Sequence, residues 1–250
     1  TRCCSSAASD VYKRQLPFFI YFELNEIKKI NFNLRKVFFF TLILGSIFGM
    51  ANILQQVSLL YTDIANSAVF TVLYVVIVPL ISYFIFSIKI HPSIWPSVTL
   101  CLIGGLLLSE IKNYDVRFGD MLVIIGAFFW AFHIIFIYKV LKIFNFPIAI
   151  ATFQCLVAGI FCSFPALAFE TVTINLISKE ITELLYAGIL SSGVAFMLQA
   201  YAQRVLSPAS VAIIFSLEGV FASIFGWILL DQFLSEIKVF GIMIILFAVI

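Results

Sequence analysis

Long apolar stretches recur along most of the chain, and they constrain its fold more than any other feature of the sequence. A helix rises about 1.5 Å per residue, so about 20 apolar residues cross the roughly 30 Å hydrocarbon core of a membrane. Eight stretches approach or reach that length: residues 37–60, 64–86, 94–108, 121–141, 147–169, 184–201, 209–230 and 239–250. A shorter one, residues 16–22, precedes them. The sequence therefore predicts an all-α polytopic membrane protein.

The composition fits a protein whose solvent is lipid. Of the 250 residues, 63% are hydrophobic and only 11% are charged, and the mean hydropathy is +1.13. An average soluble domain is about half apolar and about a quarter charged. Lys and Arg (15) barely exceed Asp and Glu (13), which leaves no basic surface for nucleic acid. We expect the lipid bilayer as a partner and no nucleic acid.

The first 15 residues differ from the rest and are set aside. Residues 5–15, SSAASDVYKRQ, match the translation of an adapter used in transposon-based sequencing libraries. We interpret residues 1–15 as an adapter scar and not as native protein. Three cysteines remain outside it, Cys101, Cys155 and Cys162, and we expect them to be small core residues. Their spacing matches no metal site, so no metal is predicted.

Basic residues near the ends of the stretches set the predicted orientation, because short cytoplasmic loops are enriched in Lys and Arg. Eight fall on one side of the membrane, Lys28, Lys29, Arg35, Lys36, Lys89, Lys139, Lys142 and Arg204, and four on the other, Lys112, Arg117, Lys179 and Lys238. The excess places the loop at residues 23–36 in the cytoplasm. We expect a multi-pass protein of the inner (plasma) membrane.

The chain contains an internal repeat with an offset of 144 residues. That offset pairs identical residues without a gap: Gly49 with Gly193, Ala51 with Ala195, Leu54 with Leu198, Gln55 with Gln199, Ala65 with Ala209, Ala68 with Ala212, Leu73 with Leu217 and Val76 with Val220. Equivalent stretches lie five crossings apart, an odd number, so the second copy is inverted in the membrane. Inverted repeats are typical of secondary transporters, in which two related halves enclose one site near the midplane.

Several segments resemble the EamA-like family of the drug/metabolite transporter superfamily. They are Leu54 and Gln55, YTDIANSAVFTVLYVVIVP at 61–79, FWAFH at 129–133, AQRVLSPASVAIIFSLEGVFASIFGWILL at 202–230 and LSEIKVFGIMII at 234–245. The resemblance implies ten helices in two inverted five-helix repeats, with both termini cytoplasmic. The eight stretches would then be helices three to ten, and residues 16–22 the end of helix two.

This resemblance implies a domain organisation and carries two departures. Residues 16–118 would be the remainder of the first repeat and residues 119–250 the second, truncated at its last helix, in a fragment that lacks the first one to two helices. Leu217, Glu218 and Gly219 stand where the family commonly has Leu-Glu-Pro. Asp231 and Gln232 replace a frequent Gly-Glu pair, and both changes weaken any transfer of substrate from other members.

Glu218, His133 and Trp130 are the sharpest candidates for a substrate cavity. Glu218 is the sole carboxylate well inside an apolar stretch, where it would bind a cationic group or take up a proton for coupling. The alternative is a neutral, hydrogen-bonded structural carboxyl. His133 could shuttle protons, although a lone histidine on an apolar face is more often a packing residue. Trp130 could form an aromatic cavity wall or simply pack.

Amides and a tyrosine at repeat-related positions are the other cavity candidates. Gln55 and Gln199 are equivalent, with Asn52 one helical turn before Gln55, and Gln154 is a weaker candidate. These amides would bind a polar substrate or bond one helix to another. Tyr74 aligns with Glu218 in the offset of 144, which makes the two residues candidates for two walls of one site.

Two positions are candidates for gating. Pro79 lies inside the stretch at 64–86, where it removes a backbone donor and should bend the helix. Gly219 replaces a proline in the equivalent stretch and loosens that helix instead. A bent helix opposite a loosened one is a plausible gate.

The absence of catalytic motifs favours a carrier. There is no HExxH, Walker loop or GxSxG, so we expect neither an enzyme nor a cofactor. The main hypothesis is a secondary transporter of small metabolites, amino-acid-like or drug-like, by alternating access, with a proton as a candidate coupling ion; import and export, and a homodimer, stay open. The alternatives are an intramembrane enzyme using Glu218 and His133 as an acid/base pair, and a scaffold that does not transport.

Overall fold

The computed structural model of the chain describes residues 34–109, 117–169, 181–231 and 233–250. Within those ranges the secondary structure is helical, without strands. The adapter-like residues 1–15, the short apolar segment at 16–22 and residues 23–33 of the predicted cytoplasmic loop lie outside the described residues.

Each of the eight predicted stretches coincides with one helix or with two or three consecutive helical segments. They are α1 (Leu34–Ser58), α2 (Ile64–Val72), α3 (Tyr74–Phe84), α4 (Ile94–Ser109), α5 (Phe118–Phe144), α6 (Pro147–Phe169), α7 (Ile181–Leu185), a π-helical segment (Tyr186–Val194), α8 (Ala195–Gln203), α9 (Pro208–Phe215), α10 (Leu217–Leu230) and α11 (Glu236–Val249). Five segments of the described chain are long and apolar enough to span a membrane: Arg35–Ser58, Asn66–Phe84, Phe118–Phe144, Pro147–Pro165 and Pro208–Leu229. Helix α4 is apolar but shorter, and α11 has 14 residues.

The helices pack into two compact units, each assembled from two separate stretches of the chain. Of the described residues, unit 1 contains those within 34–53 and 136–205, and unit 2 contains those within 54–135 and 206–250. The dividing points fall inside α1 and α5, so each of these helices contributes to both units. Each unit therefore mixes segments from the two predicted repeats.

Small residues set the helix packing inside each unit. In unit 1, a Cβ on Gly49 would lie 2.9 Å from the Phe161 ring, so α1 and α6 approach closely there. In unit 2, a Cβ on Gly104 would lie 2.9 Å from the carbonyl oxygen of Gly241, which brings α4 and α11 almost into backbone contact. Helices that meet through glycines gain van der Waals contact where lipid offers no hydrophobic driving force.

Two helices of unit 2 are interrupted at repeat-equivalent places. Leu73 separates α2 from α3, and Ser216 separates α9 from α10. The offset of 144 maps Leu73 onto Leu217, the neighbour of Ser216. Both residues keep right-handed helical dihedrals, and both amides bond carbonyls three residues earlier, so the chain tightens locally without unwinding.

The causes of the two interruptions differ. The Ser216 hydroxyl donates to the Ile213 carbonyl at 2.6 Å, a local bond that bends helices. Pro79 was expected to bend the helix at its own position. Instead, α3 continues through Pro79 to Phe84, and the interruption lies six residues earlier, at Leu73. Because proline has no N–H, Pro79 cannot bond the carbonyl of Val75, which lies two residues after Leu73.

Candidate functional site

Tyr74 and Glu218 follow the two interruptions of unit 2. Tyr74 is the first residue of α3 and is buried, whereas Glu218 lies in the first turn of α10 and is exposed. The two residues that the repeat pairs therefore both lie in unit 2, and each follows one of the two bends.

Glu218 is an unusual acid for its position. It is the eleventh residue of the 22-residue candidate span Pro208–Leu229, and therefore lies near the middle of that span. Among the described residues it makes no hydrogen bond and no ion pair. Because a charged group in hydrocarbon is costly, a carboxylate inside a membrane span is a candidate for a functional site.

A second group in unit 2 joins three more of the predicted residues. The indole N–H of Trp130 donates to the Gln55 side-chain oxygen at 3.0 Å, a bond between α5 and α1. The Trp130 and His133 rings meet edge to face, with centroids 6.0 Å apart. Trp130 also packs against the core cluster that contains Tyr74. Gln55 fixes the orientation of the indole, and the aromatic ring is held next to the core that carries Tyr74.

Two neighbours of these residues were not among the cavity candidates predicted from the sequence. Ser216 lies at the bend, and its hydroxyl oxygen is 3.3 Å from the Cys101 sulfur of α4. Cys101 is fully buried and belongs to the same core cluster as Tyr74. The sequence offered one signal for Ser216, its position one residue before the repeat-related Leu217. It offered none for the contact with Cys101, because the two residues are 115 positions apart.

The amide candidates of unit 1 are placed differently. Asn52 donates to the Phe48 carbonyl of its own helix at 2.8 Å. Gln199 is buried and donates to the side chain of Gln203 at 3.2 Å, one turn further along α8. Gln154 is buried in α6. Asn52 and Gln199 thus bond within their own helices, and Gln55 and Gln199 belong to separate units.

The contacts do not assemble an acid/base pair from Glu218 and His133. His133 is fully buried, whereas Glu218 is exposed and forms no hydrogen bond with it in the described part of the chain. General acid/base catalysis needs both groups within about 2.6–3.2 Å of one reacting atom, or one water away. The described residues also contain no group of three metal ligands.

A polar cluster that the sequence did not predict joins the loop between α1 and α2 to the start of α5. The Thr62 hydroxyl donates to one carboxylate oxygen of Asp120, and the Arg117 backbone N–H donates to the other at 2.9 Å. Arg117 also pairs with Asp63 at 2.9 Å. A Cβ on Gly119 would lie 2.8 Å from the Ser58 carbonyl, so only glycine fits there. This cluster fixes the start of α5 to the end of α1.

Comparison with known families shows which proteins this chain is similar to. A profile of the EamA-like transporter family matches residues 117–250, more than half of the chain. The chain belongs to the EamA-like transporter family. The resemblance expected from the sequence is thereby confirmed, and so is the all-α polytopic membrane fold.

One relative of this EamA-like protein and one solved structure with the same fold extend the comparison. A protein of Archaeoglobus fulgidus described as an uncharacterized transporter is 32% identical over 196 residues, which are 78% of this chain and 62% of the relative. The chain thus spans less than two thirds of that relative. A crystal structure shares the fold with a TM-score of 0.81 at 12% identity, over 99% of this chain and 84% of the other.

Proposed function

We propose that this EamA-like protein is a secondary transporter that moves small solutes across the membrane by alternating access. The observation that carries the proposal is the pair of repeat-equivalent interruptions at Leu73 and Ser216, each followed by a polar side chain, Tyr74 or Glu218. Interrupted helices at corresponding positions of two repeats are the best structural pointer to a transporter binding site.

The bends supply a means of movement. A helix that is tightened over one turn and continues on both sides can flex at that turn with little loss of backbone hydrogen bonding. Gly219, three residues after Ser216, adds backbone freedom to α10 because glycine has no Cβ. A Cβ there would meet only the end of the Leu108 side chain, at 3.1 Å. We assign Leu73 and Ser216 as the hinges, with Pro79 and Gly219 as supporting residues.

Trp130, held by Gln55 and touching His133, would form an aromatic wall of the site, and Tyr74 and Glu218 would form its polar part. Asn52, Gln154 and Gln199 belong to unit 1, and we propose them separately as polar candidates within that unit. We further propose that a proton is the coupling ion and that Glu218 is the group that carries it.

The location and orientation are proposed on the basis of the charge count. Eight Lys and Arg on one side against four on the other favour the inner (plasma) membrane with the loop at 23–36 in the cytoplasm.

Flux into proteoliposomes tests the proposal. The chain is reconstituted, and uptake of radiolabelled amino acids and small amines is measured with and without a pH gradient. We expect saturable uptake that the gradient accelerates and that Glu218→Gln abolishes. Glu236→Gln, a carboxylate at the start of α11, is the matched control and should leave uptake unchanged. Absence of saturable uptake of every solute would contradict the proposal, and uptake that survives Glu218→Gln would remove Glu218 from coupling.

A further inference from the structure

We propose that one end of unit 1 holds a binding site for the phosphate headgroup of an anionic phospholipid. Lys142 and Arg204 would bind the phosphate, and Asn145 would position the arginine. Binding there would make the stability of the protein depend on the lipids of its membrane, whatever solute the protein carries.

Two loops meet at this end of unit 1. Asn145 follows α5 with a left-handed backbone, φ 46°, a conformation that commonly ends a helix and that asparagine tolerates better than most residues. Its side-chain oxygen accepts a bond from Arg204 Nε at 2.7 Å. Lys142 Nζ donates to the backbone carbonyl of Arg204 at 3.1 Å, so two basic residues 62 positions apart are held side by side.

The Arg204 side chain is oriented but keeps most of its donors. A guanidinium has five N–H groups, and among the described residues only the one on Nε is bonded to the protein. Neither Arg204 nor Lys142 forms an ion pair in that part of the chain. Paired N–H groups of a guanidinium match the spacing of two phosphate oxygens. Arg204 can therefore receive a phosphate without giving up its bond to Asn145.

This end of unit 1 is strongly positive. The Phe40 and Phe144 rings are in contact, with centroids 5.7 Å apart, so the start of α1 lies beside the end of α5. The basic residues of these segments and of the end of α8 are Arg35, Lys36, Lys139, Lys142 and Arg204. In the described part of unit 1 the only carboxylate residue is Glu183, 21 positions before Arg204, on the order of 30 Å along the helical run. No acidic residue of the described unit thus competes for these cations.

The depth of the two cations favours a lipid over a soluble anion. Lys142 lies in the last turn of the candidate span Phe118–Phe144, where a membrane helix reaches the headgroups. Lys142 Nζ lies 5.3 Å from the centroid of the Tyr138 ring, and the guanidinium carbon of Arg204 lies 5.8 Å from that of Tyr201. Tyrosine is enriched at the headgroup level, since its ring is apolar and its hydroxyl is polar. Anionic lipids present their phosphates at this same level.

Thermal unfolding of the purified full chain in detergent tests the site, because a ligand that binds only the folded protein raises its melting temperature. The chain is titrated with phosphatidylglycerol, with phosphatidylcholine of the same acyl chains, or with inorganic phosphate. We expect a saturable rise with phosphatidylglycerol alone. Arg204→Gln and Lys142→Gln should each raise the lipid concentration at half-maximal effect about fivefold, as loss of one basic residue near an anionic membrane surface does. Lys89→Gln, which removes an exposed lysine of unit 2, is the matched control and should leave that concentration unchanged.

Each other outcome overturns the site in a different way. An equal rise with phosphatidylcholine, or no rise with either lipid, would remove the anionic headgroup as the ligand. An equal rise with inorganic phosphate would replace the lipid by a soluble anion. A fivefold change in Lys89→Gln as well would mean diffuse attraction between lipid and protein and no site at Arg204. If Arg204→Gln unfolds at low temperature before any lipid is added, the comparison of Lys142→Gln with Lys89→Gln decides.

Discussion

At the scale of single residues, the bond between Trp130 and Gln55 is the sharpest feature to test. Gln55→Leu should leave the indole N–H without its acceptor and cost about 0.6 kcal/mol, up to about 1.7, as polar contacts between membrane helices do. Gln56→Leu, the neighbouring amide, is the matched control and should cost less. Thermal unfolding in detergent measures the loss. In a background with Trp95 and Trp227 replaced by Phe, the emission of Trp130 should shift only in the Gln55 variant; an unchanged spectrum would argue against the bond.

Asp120 and Asp63 permit a comparison between a buried and an exposed carboxylate at the same loop. Asp120 is fully buried and accepts bonds from Thr62 and from the backbone of Arg117, in the position of a capping residue. Asp120→Ala leaves both donors unsatisfied and should cost about 1–3 kcal/mol. Asp63→Ala removes only an exposed ion pair and should cost about 0–1 kcal/mol. Chemical denaturation of both variants checks the order, and equal losses would contradict it.

At the scale of elements, glycines in two places should behave oppositely. A Cβ on Gly104 would lie 2.6 Å from Ile245 and 2.9 Å from the Gly241 carbonyl, so Gly104→Ala should strain the contact of α4 with α11 and cost about 1–3 kcal/mol. At Gly219 the nearest atom is the flexible end of Leu108, so Gly219→Ala should leave the melting temperature unchanged or raise it.

The same pair of variants tests the hinge. If α10 flexes near Ser216 during transport, Gly219→Ala should slow flux several-fold while the protein stays as stable as before. Melting temperature and flux are measured together for each variant. Gly104→Ala is the control, because any loss of flux in that variant is expected to accompany a loss of stability and not a change at the hinge. Flux that is unaffected by Gly219→Ala would show that the glycine is not needed for movement.

The elements themselves were predictable from the sequence, whereas their contacts were not. Apolar length fixed the place of all eight helical stretches, because hydrocarbon requires every backbone group to bond within its own helix. The repeat indicated that Tyr74 and Glu218 are related, but their proximity depends on how α3 and α10 rotate about their axes. Asn52 shows the limit, since its amide bonds the Phe48 carbonyl of its own helix. The bond between Thr62 and Asp120 joins residues 58 apart and left no local signal.

At the scale of the whole molecule, alternate crossing of the membrane predicts which loops can be labelled from outside. Val205 and Phe233 lie in the loops on either side of the span Pro208–Leu229, and their exposed fractions are 82% and 85%. A helix of 22 residues rises about 33 Å, enough to separate its two ends by the whole hydrocarbon core. The charge count predicts that Arg204, and therefore Val205, lies in the cytoplasm.

Labelling with a membrane-impermeant maleimide in intact cells gives the test. Cys3 and Cys4 are first replaced by Ser, whereas Cys101, Cys155 and Cys162 can stay because they are buried. We expect Phe233→Cys to be labelled in intact cells and Val205→Cys only after the membrane is permeabilised, with the parent protein unlabelled in both. The reverse pattern would invert the orientation and leave the span intact. Labelling of both positions from outside would mean that residues 208–229 do not cross the membrane, which would contradict the predicted membrane topology.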